Sequence, residues 1–188
     1  MICILKSAAV LRTGQVCGPS SGTGIWNTSE WVPSLVISSK FLGDIPDSLG
    51  IREVNWVSVD KLGDIVTEIV CVASRREDSA ESQVYNVVNP ATTSWEALLP
   101  ALKAIGSLDT VPASEWIDRL EKSEKGPHVI SENPAAKIID FYKQTMVADE
   151  SMAANIETHN LLRASQTAVD LAPINQGDMA RWIKSWGL

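Results

Sequence analysis

A tyrosine followed four residues later by a lysine can hand a proton to a carbonyl oxygen. The ammonium lowers the phenol's pKa and the pair sits beside one substrate. The chain has two tyrosines, Tyr85 and Tyr142, and four residues beyond them stand Asn89 and Met146. Neither pair can do that work. His128 and His159 are isolated, with no His, Cys, Asp or Glu cluster at metal-ligand spacing. His128, after Gly126-Pro127, reads as a loop residue and His159 as a solvated helix residue. No Gly-x-Ser-x-Gly elbow is present, which argues against a serine hydrolase. Asp60 has two readings, a general base or a helix N-cap, and the second is the commoner role for such a residue.

The run Thr13-Gly14-Gln15-Val16-Cys17-Gly18-Pro19-Ser20 follows an apolar stretch and superficially resembles a dinucleotide loop. That chemistry needs a helix starting at the loop, so that its free amides meet the pyrophosphate. Pro19, the Ser/Gly run and Pro33 postpone any helix. No strand ending in Asp or Glu follows about 20 residues later to hold the ribose. The glycines at 18 and 24 lack a following Lys-Ser or Lys-Thr, so they do not form a P-loop. On residue types alone, Gly14 and Gly18 are turn glycines, and Trp26 and Trp31 are core anchors with large apolar areas to bury.

The elements that would position these residues follow from hydrophobic period and punctuation. Residues 8–17 read as a strand entering a Gly/Ser-rich loop over 18–27. A helix is expected over 32–42, with Pro33 in its first turn and Gly43-Asp44-Ile45-Pro46 as its stop. Residues 54–59 read as a second, buried strand. Asp60 then caps a helix with Leu62, Ile65, Val66, Ile69, Val70 and Ala73 on one face, ending near the polar residues 74–83. A third strand covers 84–88. Thr93-Ser94-Trp95-Glu96 reads as a capping box opening a helix to 105, kinked at Pro100.

Beyond it the chain reads as mostly helical. Trp116 and Leu120 lie one turn apart. Asn133-Pro134 matches an N-cap followed by proline, with Ile138, Ile139, Tyr142 and Met146 on the apolar side that follows. Met179, Trp182, Ile183 and Trp186 fall at i, i+3, i+4 and i+7, the pattern of a docking face. Alternating strands and helices predict an α/β fold. The expectation is a partial, Rossmann-like parallel sheet of three strands over 1–105, with a mainly helical region over 106–188. Such a sheet is a poor free-standing fold, because parallel sheets need both faces covered and their edges protected.

Composition bounds the function classes. At 188 residues the chain can hold a full core, and 45% hydrophobic with 21% charged residues is ordinary for a globular domain. A net charge of −7 offers no basic stripe for a nucleic-acid backbone. Cys3, Cys17 and Cys71 show no paired spacing, so Cys17 and Cys71, in apolar runs, are expected to be buried thiols in a reducing compartment. Arg75-Arg76-Glu77-Asp78 reads as a solvated loop. No apolar run reaches the roughly 18 residues of a membrane span, and residues 1–11 lack the features of a signal peptide. The expectation is a cytoplasmic protein with neither nucleic-acid nor membrane partner.

Several motifs carry a resemblance. Arg12-Thr13-Gly14-Gln15-Val16-Cys17-Gly18-Pro19, Gly24-Ile25-Trp26-Asn27 and Glu30-Trp31-Val32-Pro33 come first. Val54-Asn55-Trp56-Val57-Ser58-Val59-Asp60 and Val84-Tyr85-Asn86-Val87-Val88-Asn89-Pro90 follow in order. Together, from about residue 10 to 188, they resemble the C-terminal half of a thioester reductase domain. These extended short-chain dehydrogenase relatives terminate nonribosomal-peptide-synthetase-like enzymes and aminoadipate or carboxylic acid reductases. The resemblance implies that Gly14, Gln15 and Val16 approach the nicotinamide of NADPH, and that Trp26, Asn27 and Trp31 line the substrate entrance. It makes Asn89-Pro90 the turn after the last sheet strand. It also places the phosphate-binding glycines and the catalytic Thr, Tyr and Lys upstream, outside this chain.

The parent activity so implied is NADPH-dependent release of a carrier-bound acyl thioester as aldehyde or alcohol. The expected chain is truncated at its start and natural at its end. It is expected neither to bind NADPH tightly alone nor to turn over. Its expected partners are an acyl or peptidyl carrier protein, and either the upstream half of the reductase or a second copy. A non-catalytic carrier-docking or partner-completing module is the alternative from a different class.

Overall fold

β-Branched runs bounded by glycine and proline form strands here, and amphipathic runs form helices, but the strands are shorter than their sequences advertise. The computed structural model describes residues 8–50, 53–75, 82–123, 129, 131–147 and 156–188. Expectations for Cys3, for Arg76-Glu77-Asp78 and for His128 lie outside the described residues. The order is β1 (Ala9–Thr13), β2 (Val16–Cys17), α1 (Trp31–Leu42), β3 (Asp44–Pro46), β4 (Val57–Ser58), α2 (Val59–Ser74), β5 (Gln83–Val87), α3 (Trp95–Lys103), β6 (Asp109–Val111) and α4 (Ala113–Lys122). A 3-10 turn (Pro134–Ile138) leads into α5 (Ile139–Met146), followed by α6 (His159–Ala164), α7 (Gln166–Val169) and α8 (Gln176–Ser185).

The elements gather into two compact units, each assembled from three separate stretches of chain. The first comprises Met1–Thr23, Asn55–Thr92 and Asn155–Pro173. Its sheet is parallel: β1 pairs with β5 and β2 with β4, with Leu11 opposite Tyr85 and Val16 opposite Val57. The expected strand over 8–17 is therefore two short strands separated by Gly14-Gln15. The expected strand over 54–59 shrinks to Val57–Ser58, with Val54 in an isolated antiparallel bridge to Thr93 in the second unit.

Hydrogen bonding gives the lateral order. The Gly14 amide donates to the Val87 carbonyl at 3.0 Å, whereas the Gln15 carbonyl accepts from the Val57 amide at 3.0 Å. Successive residues of an extended strand present their peptide groups to opposite sides. The segment from Ala9 to Cys17 therefore has β5 on one side and β4 on the other.

One face of this sheet carries the core: Tyr85, Val87 and Val57 pack with Ile65, Ile69, Leu161, Ala164 and Ala168, and Leu11, Leu62 and Val72 join them. Burying each such side chain stabilises by about 1.5–3 kcal/mol before entropy is counted. Two expectations for α2 change. Val70 is exposed, and the inward stripe runs through Leu62, Ile65, Ile69 and Val72 instead. Cys71 is exposed too, on the opposite face from that stripe, while Cys17 is buried.

The second unit comprises Gly24–Val54, Thr93–Ala154 and Ile174–Leu188. Helix α1 accepts Pro33 at its third position, where the missing amide is unneeded. Gly43 ends it in the left-handed conformation (φ 78°), its amide donating to the Ser39 carbonyl. The stop sequence then forms β3, which pairs in parallel with β6 (Asp44 with Asp109, Pro46 with Val111), a pair the sequence reading did not contain. Helix α3 packs on α8 and runs through Pro100. Its cap is Ser94, which accepts from the Ala97 amide, and not the expected Thr93/Glu96 box.

Buried aromatic tips are satisfied. Trp95 Nε1 donates to the Pro46 carbonyl at 2.9 Å, and Trp116 Nε1 to Ser39 Oγ at 3.1 Å. Trp116 and Leu120 are fully buried on α4, as their spacing predicts. Asn133 caps the 3-10 turn by position, but its side chain donates to Ser123 Oγ instead of closing the turn. Among the described residues, no helix is long and apolar enough to cross a membrane.

Candidate functional site

Gly14 lies where β1 passes beneath Val88. A Cβ built there would meet Val88 Cγ1 at 2.7 Å and the Val87 carbonyl oxygen at 3.7 Å, so the position requires a residue without a side chain. Gln15 is half-buried, its amide bonded to the neighbouring Val16 carbonyl, and Val16 is half-buried in β2. These three residues sit together at the C-terminal end of the strand pair, the end at which open α/β sheets place ligands. The loop that follows is held by Asp60, whose carboxylate accepts from the Ser20 amide at 2.8 Å and from Ser20 Oγ.

Asp60 is thus not the N-cap of α2. That position is Ser58, and Asp60 is in the first helical turn. Its carboxyl feels opposed influences. Burial, the largest, pushes its pKa up, but the two bonds from Ser20 and its own backbone amide leave it below the ordinary value. An anchored carboxylate of this kind is a loop clamp. It was missed because the pairing spans forty residues of sequence.

Trp26, Asn27 and Trp31 belong to the second unit. Trp26 is buried: its Nε1 donates to Glu30 at 3.0 Å, and its ring meets Trp182 edge-on (centroids 5.1 Å) and Trp186 (5.8 Å). The Trp26 carbonyl accepts from Trp186 Nε1 at 3.1 Å. Asn27 is exposed and turns the chain, its Oδ1 accepting from the Ser29 amide at 3.0 Å. Trp31 is half-buried against Phe141, with centroids 5.7 Å apart, and its carbonyl accepts from Tyr142 Oη at 2.6 Å.

The two tyrosines are committed to structure. Tyr142 is fully buried, and burial pushes its phenol far above the ordinary range. Tyr85 is equally buried in β5 and donates to Gln83 Oε1 at 3.0 Å. Elsewhere in the first unit, Glu68 on α2 accepts from Ser165 Oγ, the Thr167 amide and Thr167 Oγ1 at the start of α7. The Ser165 bond chiefly holds its pKa below the ordinary value. Among the described residues, no group of three His, Cys, Asp or Glu could hold a metal ion.

The loop after Gly18 has one feature that bears on a dinucleotide. No helix begins in the loop after Gly18, and α1 starts only at Trp31 in the other unit. The pyrophosphate therefore has no helix N-terminus to meet at this loop.

No family model matches the chain. It is 33% identical over 184 residues to a carboxylic acid reductase of Neurospora crassa, a span of 94% of this chain and 17% of that protein. A non-reducing polyketide synthase of Aspergillus terreus is 31% identical over 181 residues, 94% of this chain and 6% of the synthase. The reductase domain of a nonribosomal peptide synthetase from Mycobacterium tuberculosis superposes with a TM-score of 0.69 at 15% identity. That match covers 95% of this chain and 45% of the domain. The terminal R domain of the myxalamid pathway gives 0.65 at 19%, covering 93% and 42%. The chain thus spans less than half of either solved domain and a small part of the curated relatives.

Proposed function

We propose, because the chain is homologous to part of the reductase domains of nonribosomal peptide synthetases, polyketide synthases and carboxylic acid reductases, that it supplies the C-terminal portion of an NADPH-dependent thioester reductase domain. The first unit carries the remnant of the cofactor side around Gly14, Gln15 and Val16. The second carries the substrate side around Trp26, Asn27 and Trp31. In the parent reaction NADPH supplies a hydride to the carbonyl of a carrier-bound thioester, the C–S bond breaks, and the carrier thiol leaves with a proton. Aldehyde is the product, and a second hydride gives the alcohol.

The observation that carries this reading is the state of the tyrosines. Both are buried with their hydroxyls bonded, and neither has a lysine four residues on. General acid catalysis needs a titratable donor within reach of the reacting oxygen. The proton donor must therefore come from elsewhere in a complete domain, and the chain alone neither binds NADPH tightly nor reduces thioesters.

Isothermal calorimetry of NADPH against the folded 188-residue chain tests this. Absence of heat is the expected result. Binding in the micromolar range, or NADPH consumption with an acyl thioester, would overturn the proposal and return the chain to the class of independent enzymes.

A further inference from the structure

β5 runs out into a corner that three separate runs of chain share. Asn89 stands there, directly after Val88, and is 2% exposed. Its backbone amide donates to the Asn55 carbonyl at 2.9 Å. Its Nδ2 donates to the Ala172 carbonyl at 2.9 Å, and its Oδ1 accepts from the Ala91 amide at 2.9 Å. All four residues belong to the first unit. Asn55 opens the second stretch of that unit, and Ala172 stands one residue before the end of its third.

The corner selects an amide side chain. A carbonyl only accepts and a backbone N–H only donates, so the two partners fix which end of the Asn89 amide faces which. Ionised aspartate has the reach but no donor, serine has a single oxygen, and glutamine is one methylene too long. Pro90 has no amide to give, so Oδ1 takes the next one along, the reach of an Asx turn. Burial makes either end costly to leave unbonded.

What the corner holds in place is Val88. It is buried beside Gly14, so close that a Cβ at residue 14 would meet Val88 Cγ1 at 2.7 Å. A β-branched side chain has little freedom of its own and follows its backbone. On one side that backbone continues from Val87, whose carbonyl accepts from the Gly14 amide at 3.0 Å. On the other it is tied by the three bonds of Asn89.

We propose that Asn89 is a positioning residue, which sets Val88 against Gly14 and so fixes the carboxyl end of β1 and β5. Its function rests on the reductase reading above, which gives that place to the cofactor side. Asn89 acts through Val88 and not by contact with a substrate.

The test is nuclear magnetic resonance of the full chain, native and carrying Asn89→Leu or Asn89→Ala. Leucine keeps the branched outline and loses both side-chain bonds, whereas alanine loses outline and bonds together. The expected result is a Gly14 amide that exchanges about tenfold faster in both variants, with the Val88 methyl signals displaced. The Tyr85 amide, inside the β1–β5 ladder, should keep its rate. Should neither variant fold, the native chain decides. Its Asn89 and Ala91 amides and Asn89 side-chain protons are expected to exchange slowly, and free exchange of these would overturn the proposal.

Unchanged Gly14 and Val88 signals in both variants would also overturn it. So would native-like signals in Asn89→Leu alone, which would make the residue a filler of space. The reductase reading fails separately. NADPH binding by the free chain in calorimetry removes that reading and leaves the role of Asn89 to the exchange data. Silent calorimetry with a Gly14 amide indifferent to residue 89 removes the positioning role and leaves the reading.

Discussion

Gly14 shows how little room a strand crossing leaves. A methyl added there must displace Val88, whose β-branched side chain has few alternative rotamers. Gly14→Ala is expected to destabilise the first unit by about 1–3 kcal/mol, the usual cost of overpacking, measured as a lowered urea midpoint with unchanged slope. The carboxylates of that unit set its acid limb. Glu68 and Asp60 both have folded pKa values below their ordinary ones. Their stabilising contribution is therefore fully present above the unfolded values and is lost as pH falls through the lowered folded values. Glu68→Gln should lower stability slightly at neutral pH and make the loss of stability on acidification shallower by the same small amount, small because the group is largely exposed. Denaturant melts at a series of pH values would show it. An unchanged acid limb would mean the Ser165 and Thr167 bonds do not persist in solution.

At the scale of elements, the C-terminal helix is held by aromatic contacts, and this bears on the role assigned to Trp26. Met179, Trp182 and Ile183 of α8 are buried, with Trp186 at its end bonding back to the Trp26 carbonyl. The stripe at i, i+3, i+4 and i+7 was legible because a helix buries one face by geometry alone. Its partner was not legible, because nothing in sequence ties residue 26 to residue 182. Trp26→Ala is expected to cost about 3–5 kcal/mol in thermal or urea unfolding, as for a large side chain removed from a packed core. A loss under about 1 kcal/mol would place Trp26 outside the core and free it for the substrate entrance. Trp31, half-buried, is expected to tolerate Trp31→Phe with little change. The β3–β6 pair escaped notice because three-residue strands are too short for a period of two to register.

For the whole molecule, the decisive feature is how distant segments assemble the sheet of the first unit. Its inner face is packed, and among the described residues β1 pairs with β5 alone. The sequence by itself determined the α/β class, the apolar stripe of the last helix, the end of the first helix at Gly43, and the absence of a Tyr-x-x-x-Lys pair. These are local facts, fixed by periodicity, backbone preference and residue type. Its motif resemblance agrees with the homology to reductase domains. Only the tertiary structure decided that Ser58 and Ser94 cap their helices, that Asp60 clamps Ser20, that Cys71 is exposed and that Trp26 is buried in an aromatic cluster. It also decided that the strand expected over 8–17 divides at Gly14-Gln15, its first part pairing with β5 and its second with β4. Each of these depends on which distant segments meet, and contact between distant segments is set by global packing that no local pattern encodes.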